Sequence, residues 1–147
     1  MEAKTYCSYK HSPLLHSESG LANYLLSFFQ ERFLLVKNPN STDTHDYKWY
    51  VPINFVTEDA PDFTDTKPSS WMAATEPSKT ITGLPNPGRW VIFNKLQTGY
   101  YRVNYEEANW KLIVSQLKKN HAVISTINRA TLIDDALDFA RAGRLSY

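Results

Sequence analysis

The pattern of hydrophobic and polar positions changes at Tyr105. Before it, short runs of β-branched and aromatic residues alternate with segments rich in Pro, Asn, Asp and Ser, which is typical of short strands joined by loops. After it, apolar residues recur every three or four positions, as they do on α-helices. The chain is therefore predicted to be mainly β with α, with a β-sandwich over residues 13–105 followed by two α-helices within 106–147.

The strands predicted before residue 90 are short, and residues 1–12 are left unassigned. Pro52 indicates an edge strand or a bulge, because proline has no backbone N–H for a central sheet ladder. The spacing of Leu21, Tyr24, Leu25 and Phe28 also allows a helix just before residue 29. The predicted strands lie at 29–35, 49–56, 71–74 and 80–82, with loops at 37–46, 58–70 and 75–88.

The most regular segment of the first part is 90–105. Two runs rich in aromatic and β-branched residues flank a polar stretch that ends at Gly99, so the pattern predicts a β-hairpin with its loop at 95–99. Successive side chains of a strand point to opposite faces. The last strand should thus place Tyr101, Val103 and Tyr105 on one face and Tyr100, Arg102 and Asn104 on the other.

Two helices are predicted after Tyr105. The first has apolar positions at Trp110, Ile113, Val114 and Leu117, with acidic residues before it and lysines after it, as the helix dipole favours. The second, over 126–142, lies between Ser125 as N-cap and Gly143 as stop. Its apolar stripe is predicted to be Ile127, Ala130, Ile133, Leu137 and Ala140. Two helices over so few residues bury too little surface to stand alone, so these stripes need the sandwich or further helices.

Composition narrows the classes of protein only slightly. The chain has 147 residues, and 42% of them are hydrophobic, enough for a core. A net charge of +1 does not favour nucleic acid or an anionic membrane as a partner. Cys7 is the only cysteine, so no intrachain disulfide is possible.

No apolar run approaches the roughly 18–20 residues of a membrane span, and the N-terminus lacks the apolar core of a signal peptide. Localisation stays open, and Asn40, in Asn-Ser-Thr, is a candidate glycosylation site only if the chain is secreted.

A search for catalytic and metal-ligating patterns returns no candidate. The histidines are not paired one helical turn apart around a glutamate, and the polar cluster at 43–46 is interpreted as a solvated turn. Asp134 and Asp135 are neighbours on a helix and so point about 100° apart, which disfavours a shared proton or metal ion. Arg102 is expected to stack on an aromatic ring or to pair with an acid of the helices. Arg102 and Arg129 are the two candidates for fixing how the sandwich docks on the helices.

Several segments resemble one known family. The segment 99–105 followed by Trp110 is similar to the end of the small β-sandwich domain of the aminopeptidase N family of zinc metallopeptidases. Segments 30–33 and 49–53 resemble earlier strands of that domain, and 127–136 resembles the opening of the family's C-terminal helical domain. The resemblance assigns an architectural role to Trp90, Gly99, Tyr100, Tyr101, Arg102, Asn104, Tyr105, Trp110, Asn128, Arg129, Asp134 and Asp135.

The resemblance implies a support role. In the family the sandwich bridges a catalytic domain and a helical superstructure, so 13–105 is expected to be a bridging domain and 106–147 the truncated start of a helical-repeat domain. The family's zinc-binding and catalytic motifs have no match here. The chain is therefore expected to be inactive alone, to hold no cofactor, and to have the remaining aminopeptidase domains as partners, with peptide bound only in the full-length context. The alternative is a stand-alone β-sandwich protein-binding module without enzymatic role.

Overall fold

A computed structural model of the chain describes residues 4–13, 24–35, 42, 45, 47–81, 84 and 88–146. The candidate glycosylation site Asn40 lies outside these residues, as do Leu21, Asp43 and Asp46. The described strands are β1 (Lys4–Pro13), β2 (Tyr24–Phe33), β3 (Val51–Ile53), β4 (Phe55–Thr57), β5 (Ser70–Met72), β6 (Lys79–Ile81), β7 (Val91–Phe93) and β8 (Tyr101–Asn104). The helices are α1 (Glu107–Asn120) and α2 (Thr126–Arg141), with 3₁₀ turns at Lys95–Gln97 and His121–Val123.

The strands form two layers around one core, which confirms the β-sandwich. One layer is a four-stranded sheet in the order β6-β2-β1-β8, and the other consists of the antiparallel pairs β3-β5 and β4-β7. Across the core, the Phe28 and Phe93 rings lie 5.2 Å apart. The Tyr101 hydroxyl donates to the Pro52 carbonyl at 2.9 Å, so β8 of one layer is bonded to β3 of the other. As predicted, Pro52 lies on a sheet edge, since among the described strands β3 pairs with β5 alone.

The N-terminal segment left unassigned from the sequence forms a central strand. β1 pairs antiparallel with β2 over ten residue pairs and parallel with β8 over four. A parallel partner almost a hundred residues away leaves no local sequence signal, since parallel strands need a long crossover. The helical alternative just before residue 29 is wrong, because the long pairing with β1 makes residues 24–33 one strand.

The predicted β-hairpin at 90–105 is wrong, although both of its strands exist. β7 pairs with β4 and β8 pairs with β1, so the two strands belong to opposite layers. Between them the chain turns through left-handed backbone at Asn94, Leu96 and Gln97, with φ of 59°, 51° and 55°. The segment 95–99 is thus a crossover between layers.

Both helices are confirmed, but the face on which α2 packs differs from the prediction. The Ser125 hydroxyl accepts the N–H of Asn128 at 3.2 Å, and Gly143 ends the helix at φ +68°. Of the predicted stripe only Ala140 is buried, whereas Ile127, Ile133 and Leu137 are exposed. The residues that α2 buries are Asn128, Leu132, Asp135, Phe139 and Ala140. Periodicity alone misplaced the face because polar bonds to the sandwich orient this helix.

Candidate functional site at the sandwich–helix junction

Arg102 of β8 is the centre of the junction between the sandwich and α2. Its side chain is only 9% exposed, and its guanidinium bonds three carboxylates of α2. Nη1 donates to Asp134 at 2.6 Å and to Asp135 at 2.7 Å, and Nη2 lies 2.5 Å from Asp138. The guanidinium carbon also lies 5.6 Å from the centre of the Phe33 ring, within cation–π range. Both predicted roles of Arg102, ion pairing and aromatic stacking, are therefore present together.

Asp135 links α2 to the backbone of β8 as well as to Arg102. Its second carboxylate oxygen accepts the N–H of Val103 at 3.0 Å. Burial raises the pKa of Asp135 to about 6, against the opposing effects of the Val103 N–H and the Arg102 charge. Burial also acts to lower the pKa of Arg102, but the hydrogen bonds and charges of Asp134 and Asp135 outweigh it, so that pKa is raised. The raised pKa of Asp135 and the raised pKa of Arg102 are both expected for a buried cluster in which one cation faces several acids.

Two asparagine side chains hold the crossover between the layers, one within the turn and one from α2. Asn128 donates to the Asn94 carbonyl at 3.1 Å and accepts the N–H of Leu96 at 2.9 Å. Asn94, whose left-handed backbone suits asparagine, donates to the carbonyls of Gly99 and Tyr101 and accepts the N–H of Gly99 at 2.8 Å. The turn is thus held in shape by one asparagine and attached to α2 by the other.

Position 99 of this turn requires glycine, because the Tyr101 ring lies where the Cβ of any other residue would be. A Cβ at this position would lie 2.2 Å from the Tyr101 ring, whose hydroxyl is bonded to the Pro52 carbonyl. The ring cannot move aside without losing that bond between the layers. The close approach of Tyr101 therefore restricts this position to glycine.

Side chains bond the edge of β7 that would have paired with β8 in the predicted hairpin. The Asn109 amide accepts the N–H of Val91 at 3.0 Å and donates to its carbonyl at 2.8 Å. The Tyr105 hydroxyl accepts the N–H of Phe93 at 3.0 Å. These bonds satisfy buried backbone groups that would otherwise need a neighbouring strand. They also tie α1 to the sandwich, since Asn109 lies in its first turn.

The other positions singled out from the sequence have more local roles. Trp90 is buried, and its indole N–H donates to Gln116 of α1 at 3.4 Å. Trp110 donates to Asn104 at 3.2 Å and packs edge-on against Tyr105. Arg129 bonds His121 and Thr126, both within the helical part, so the described contacts do not support it as a docking residue. Tyr100 is 67% exposed.

The acidic cluster does not fit a zinc ion. The Arg102 guanidinium lies within hydrogen-bond distance of all three carboxylates and already supplies a positive charge to them. Across the residues the structure describes, no group of three or more His, Cys, Asp or Glu is arranged to hold a metal ion. We therefore assign no step of metal chemistry to this junction. Of the helices in the described ranges, none is both long and apolar enough to span a bilayer.

Four residues of the junction were not singled out from the sequence: Asn54, Asn94, Asn109 and Asp138. Asn54 interrupts the predicted strand at 49–56, and its side chain accepts the N–H of Lys95 at 2.7 Å while donating to the Thr66 carbonyl at 2.6 Å. Asp138 follows Asp134 by one helical turn. Two carboxylates at this spacing lie on the same side of a helix and could have indicated a cation that binds both. The asparagines leave no comparable pattern, because their partners are backbone groups, which any residue type could provide.

Comparisons with known proteins agree with this architecture. Residues 90–147 match the family model of the ERAP1-like C-terminal domain. The chain is 42% identical over 120 residues to aminopeptidase N of Plutella xylostella, a match that covers 80% of this chain and 12% of that protein. It is 41% identical over 99 residues to the thyrotropin-releasing hormone-degrading ectoenzyme of Rattus norvegicus, covering 67% and 9%. To the membrane alanyl aminopeptidase of Manduca sexta it is 41% identical over 100 residues, covering 67% and 10%.

The β-sandwich is joined through buried polar contacts to helices that match this model, which defines the class: a region shared with aminopeptidases. More specifically, the chain belongs to the aminopeptidase N family. It spans about a tenth of the length of the relatives it matches, with 12%, 9% and 10% of the three proteins covered.

Proposed function

We propose that this chain is a non-catalytic connecting part of an aminopeptidase-like protein, in which the β-sandwich sets the orientation of a helical region. The observation that carries the proposal is the ion-pair cluster of Arg102 with three aspartates of α2. The division into a bridging domain before residue 106 and a helical part after it belongs to the same proposal.

A buried ion pair is better suited to orientation than to stability. Removing two charges from water costs about as much as their attraction returns, so such a pair contributes little net free energy of folding. Its directional bonds, however, are satisfied in only one arrangement. Here Arg102 and the Val103 N–H restrict the rotation of α2, and Asn128 restricts its position along the crossover. A helix held at three points keeps a constant angle to the sheet, which a connecting part between two domains requires.

Peptide hydrolysis is assigned by this proposal to other parts of the longer protein. Two of the three relatives carry the names of aminopeptidases and the third that of a hormone-degrading ectoenzyme, and the chain corresponds to 12% or less of their length. Zinc and peptide substrate would be bound by those other parts, which are also the proposed partners. The acidic cluster supports this view, since Arg102 already occupies it.

The test is a graft. The matching segment of Plutella xylostella aminopeptidase N is replaced by this chain, and kcat/KM is measured on an aminoacyl-anilide. The wild-type graft should keep most of the activity, whereas Arg102→Ala should lower kcat/KM about tenfold or more through misplacement of the neighbouring domains. Lys111→Ala, which removes an exposed charge of α1, is the matched control and should have no effect.

Two results would overturn the proposal. One is an Arg102→Ala graft as active as the wild type at a temperature at which both are folded. The other is hydrolysis by the isolated 147-residue chain that a chelator abolishes.

A further inference from the structure

The outer face of the four-stranded sheet carries two opposite charges in one row. Residue 6 of β1 is paired with Arg102 of β8 on one side and with Glu31 of β2 on the other, so the three positions are in register. Paired residues of neighbouring strands share a face, and two strand spacings separate Arg102 from Glu31 by about 10 Å. The alternate residues of β2 point to the opposite face, where the Phe28 ring contacts Phe93 of the second layer.

Helix α2 and the turn after it place an opposite charge over each end of this row. Arg102 bonds the aspartates of α2, with Asp135 at 2.7 Å. Beyond the helix, Gly143 turns the chain through left-handed backbone at φ +68°, and the next residue reaches back to β2. The Arg144 guanidinium bonds both oxygens of Glu31, at 3.0 and 2.6 Å. The sheet is therefore positive at β8 and negative at β2, and the helical side is negative and then positive.

The apolar contact beside these ion pairs carries no information on direction. The Phe33 ring of β2 lies 5.4 Å from the Phe139 ring of α2, and both side chains are buried. Burial of apolar surface is favourable but non-directional. It holds the helix against the sheet without specifying which end of the helix lies over β8.

We infer that the Glu31–Arg144 pair is a positioning contact that, together with the Arg102 cluster, specifies the direction in which α2 crosses the sheet. In the observed direction both ion pairs are attractive. With the helix reversed end for end, Arg144 would approach Arg102 and the aspartates would approach Glu31, so both contacts would become repulsive. The inference rests on the proposed connecting function and adds what determines the direction of the helix.

Salt should act differently on the two contacts. The Arg102 side chain is 9% exposed, whereas that of Glu31 is 51% exposed. Exposed charges are screened by salt much more than buried ones. The Glu31–Arg144 pair should therefore weaken at about 1 M NaCl while the Arg102 cluster persists, so the end of α2 near Gly143 should loosen first.

The test measures the position of α2 by double electron–electron resonance between two spin labels. In a Cys7→Ser background of the 147-residue chain, labels are attached through Leu137→Cys on α2 and Thr80→Cys on β6, both at exposed positions. The distance distribution should be narrow, and Arg144→Glu, which sets two carboxylates against each other, should widen it about twofold or more. Arg141→Glu makes the same change of charge at an exposed position of the last helical turn and should leave the width unchanged.

A second variant exchanges the charges. Glu31→Arg combined with Arg144→Glu restores opposite signs and should return most of the narrow distribution. Arg144→Gln, which removes the attraction without adding repulsion, should widen the distribution less than Arg144→Glu and should abolish the effect of salt. Circular dichroism at 222 nm confirms that each variant is folded.

Three results would overturn the inference: a wild-type width for Arg144→Glu, an equal widening by Arg141→Glu, or an exchanged pair as wide as Arg144→Glu alone. The graft experiment fails or succeeds separately, because it depends on Arg102. An unchanged width for Arg144→Glu beside a loss of activity in the Arg102→Ala graft would reject this inference and leave the connecting function in place.

Discussion

At the scale of single residues, the junction depends on side chains that each bond two elements. Asp135 joins Arg102 to the Val103 backbone, and Asn128 joins the Asn94 carbonyl to the Leu96 N–H. Each leaves a buried group without a partner when removed, which costs about 1–3 kcal/mol per group. Asn128 and Asp135 were singled out only through the family resemblance, whereas the residues themselves suggested Arg102 as a docking residue, because an arginine among tyrosines is conspicuous.

Asp135 should make stability depend on pH. Its pKa in the folded chain is raised to about 6, in the presence of Arg102, Asp134 and Asp138. A raised carboxyl pKa means that the folded state binds the proton more tightly than the unfolded state. The contribution of protonated Asp135 to the free energy of unfolding is therefore complete below about pH 4 and is lost as the pH rises through about 6. The shift of the Asp135 pKa to about 6 corresponds to on the order of 3 kcal/mol in the free energy of unfolding.

The measurement is urea unfolding of the wild type and of Asp135→Asn between pH 4 and 7.5. The difference in unfolding free energy, wild type minus variant, should decrease as the pH rises. Asp65→Asn, at a loop position, serves as the control and should not reproduce the trend. A difference that instead grows with pH would mean that the attraction of Arg102 for the ionised carboxylate outweighs the burial of Asp135.

At the scale of elements, the crossover at Lys95–Gln97 decides how the layers connect. It takes the place of a hairpin loop, and the backbone is left-handed at Leu96 and Gln97 within it and at Asn94 just before it. Such conformations cost roughly 1–2 kcal/mol per residue for L-amino acids other than glycine, and less for asparagine. The side-chain bonds of Asn54, Asn94 and Asn128 hold this strained turn in place. The turn is therefore a property of the assembled layers rather than of its local sequence.

Replacing Gln97 by glycine should stabilise the chain. Gln97 is exposed and has φ of 55°, so the substitution relieves backbone strain without removing a buried contact. After the entropy that glycine loses on folding, the expected gain in unfolding free energy is about 0.5–1 kcal/mol. Ser115→Gly, at an exposed position of α1, is the matched control and should be destabilising by roughly 0.5 kcal/mol. A lower melting temperature for Gln97→Gly would show that the left-handed turn is not populated in solution.

At the scale of the whole molecule, sandwich and helices share one core. Ile113, Ile124 and Leu132 of the helical part belong to the same cluster of buried residues as Phe28 and Trp90. Arg144, just beyond α2, also donates to both oxygens of Glu31 on β2, at 3.0 and 2.6 Å. A boundary between strands and helices near residue 105 is thus a change of secondary structure within a continuous packed interior.

This shared core predicts a single unfolding transition. Tryptophan fluorescence and circular dichroism at 222 nm should give coincident midpoints in guanidinium chloride, since the helices cannot keep their buried faces once the sandwich opens. Arg102→Ala should lower the midpoint for both signals together. Two separated transitions would contradict the shared core and would support an independently folding helical part.

The sequence by itself determined the two helices with Ser125 and Gly143 at the ends of the second, the strands from β3 to β8 apart from the break at Asn54, the second half of β2, and the family. These features depend on local patterns, capping and motif residues within a few positions of one another. Only the tertiary structure placed β1 between β2 and β8, separated β7 from β8 into different layers, and turned α2 so that Asn128 and Asp135 face inward. Each of these depends on hydrogen bonds between residues far apart in the chain. Burying those polar groups against their partners outweighed the apolar periodicity that predicted the opposite face of α2.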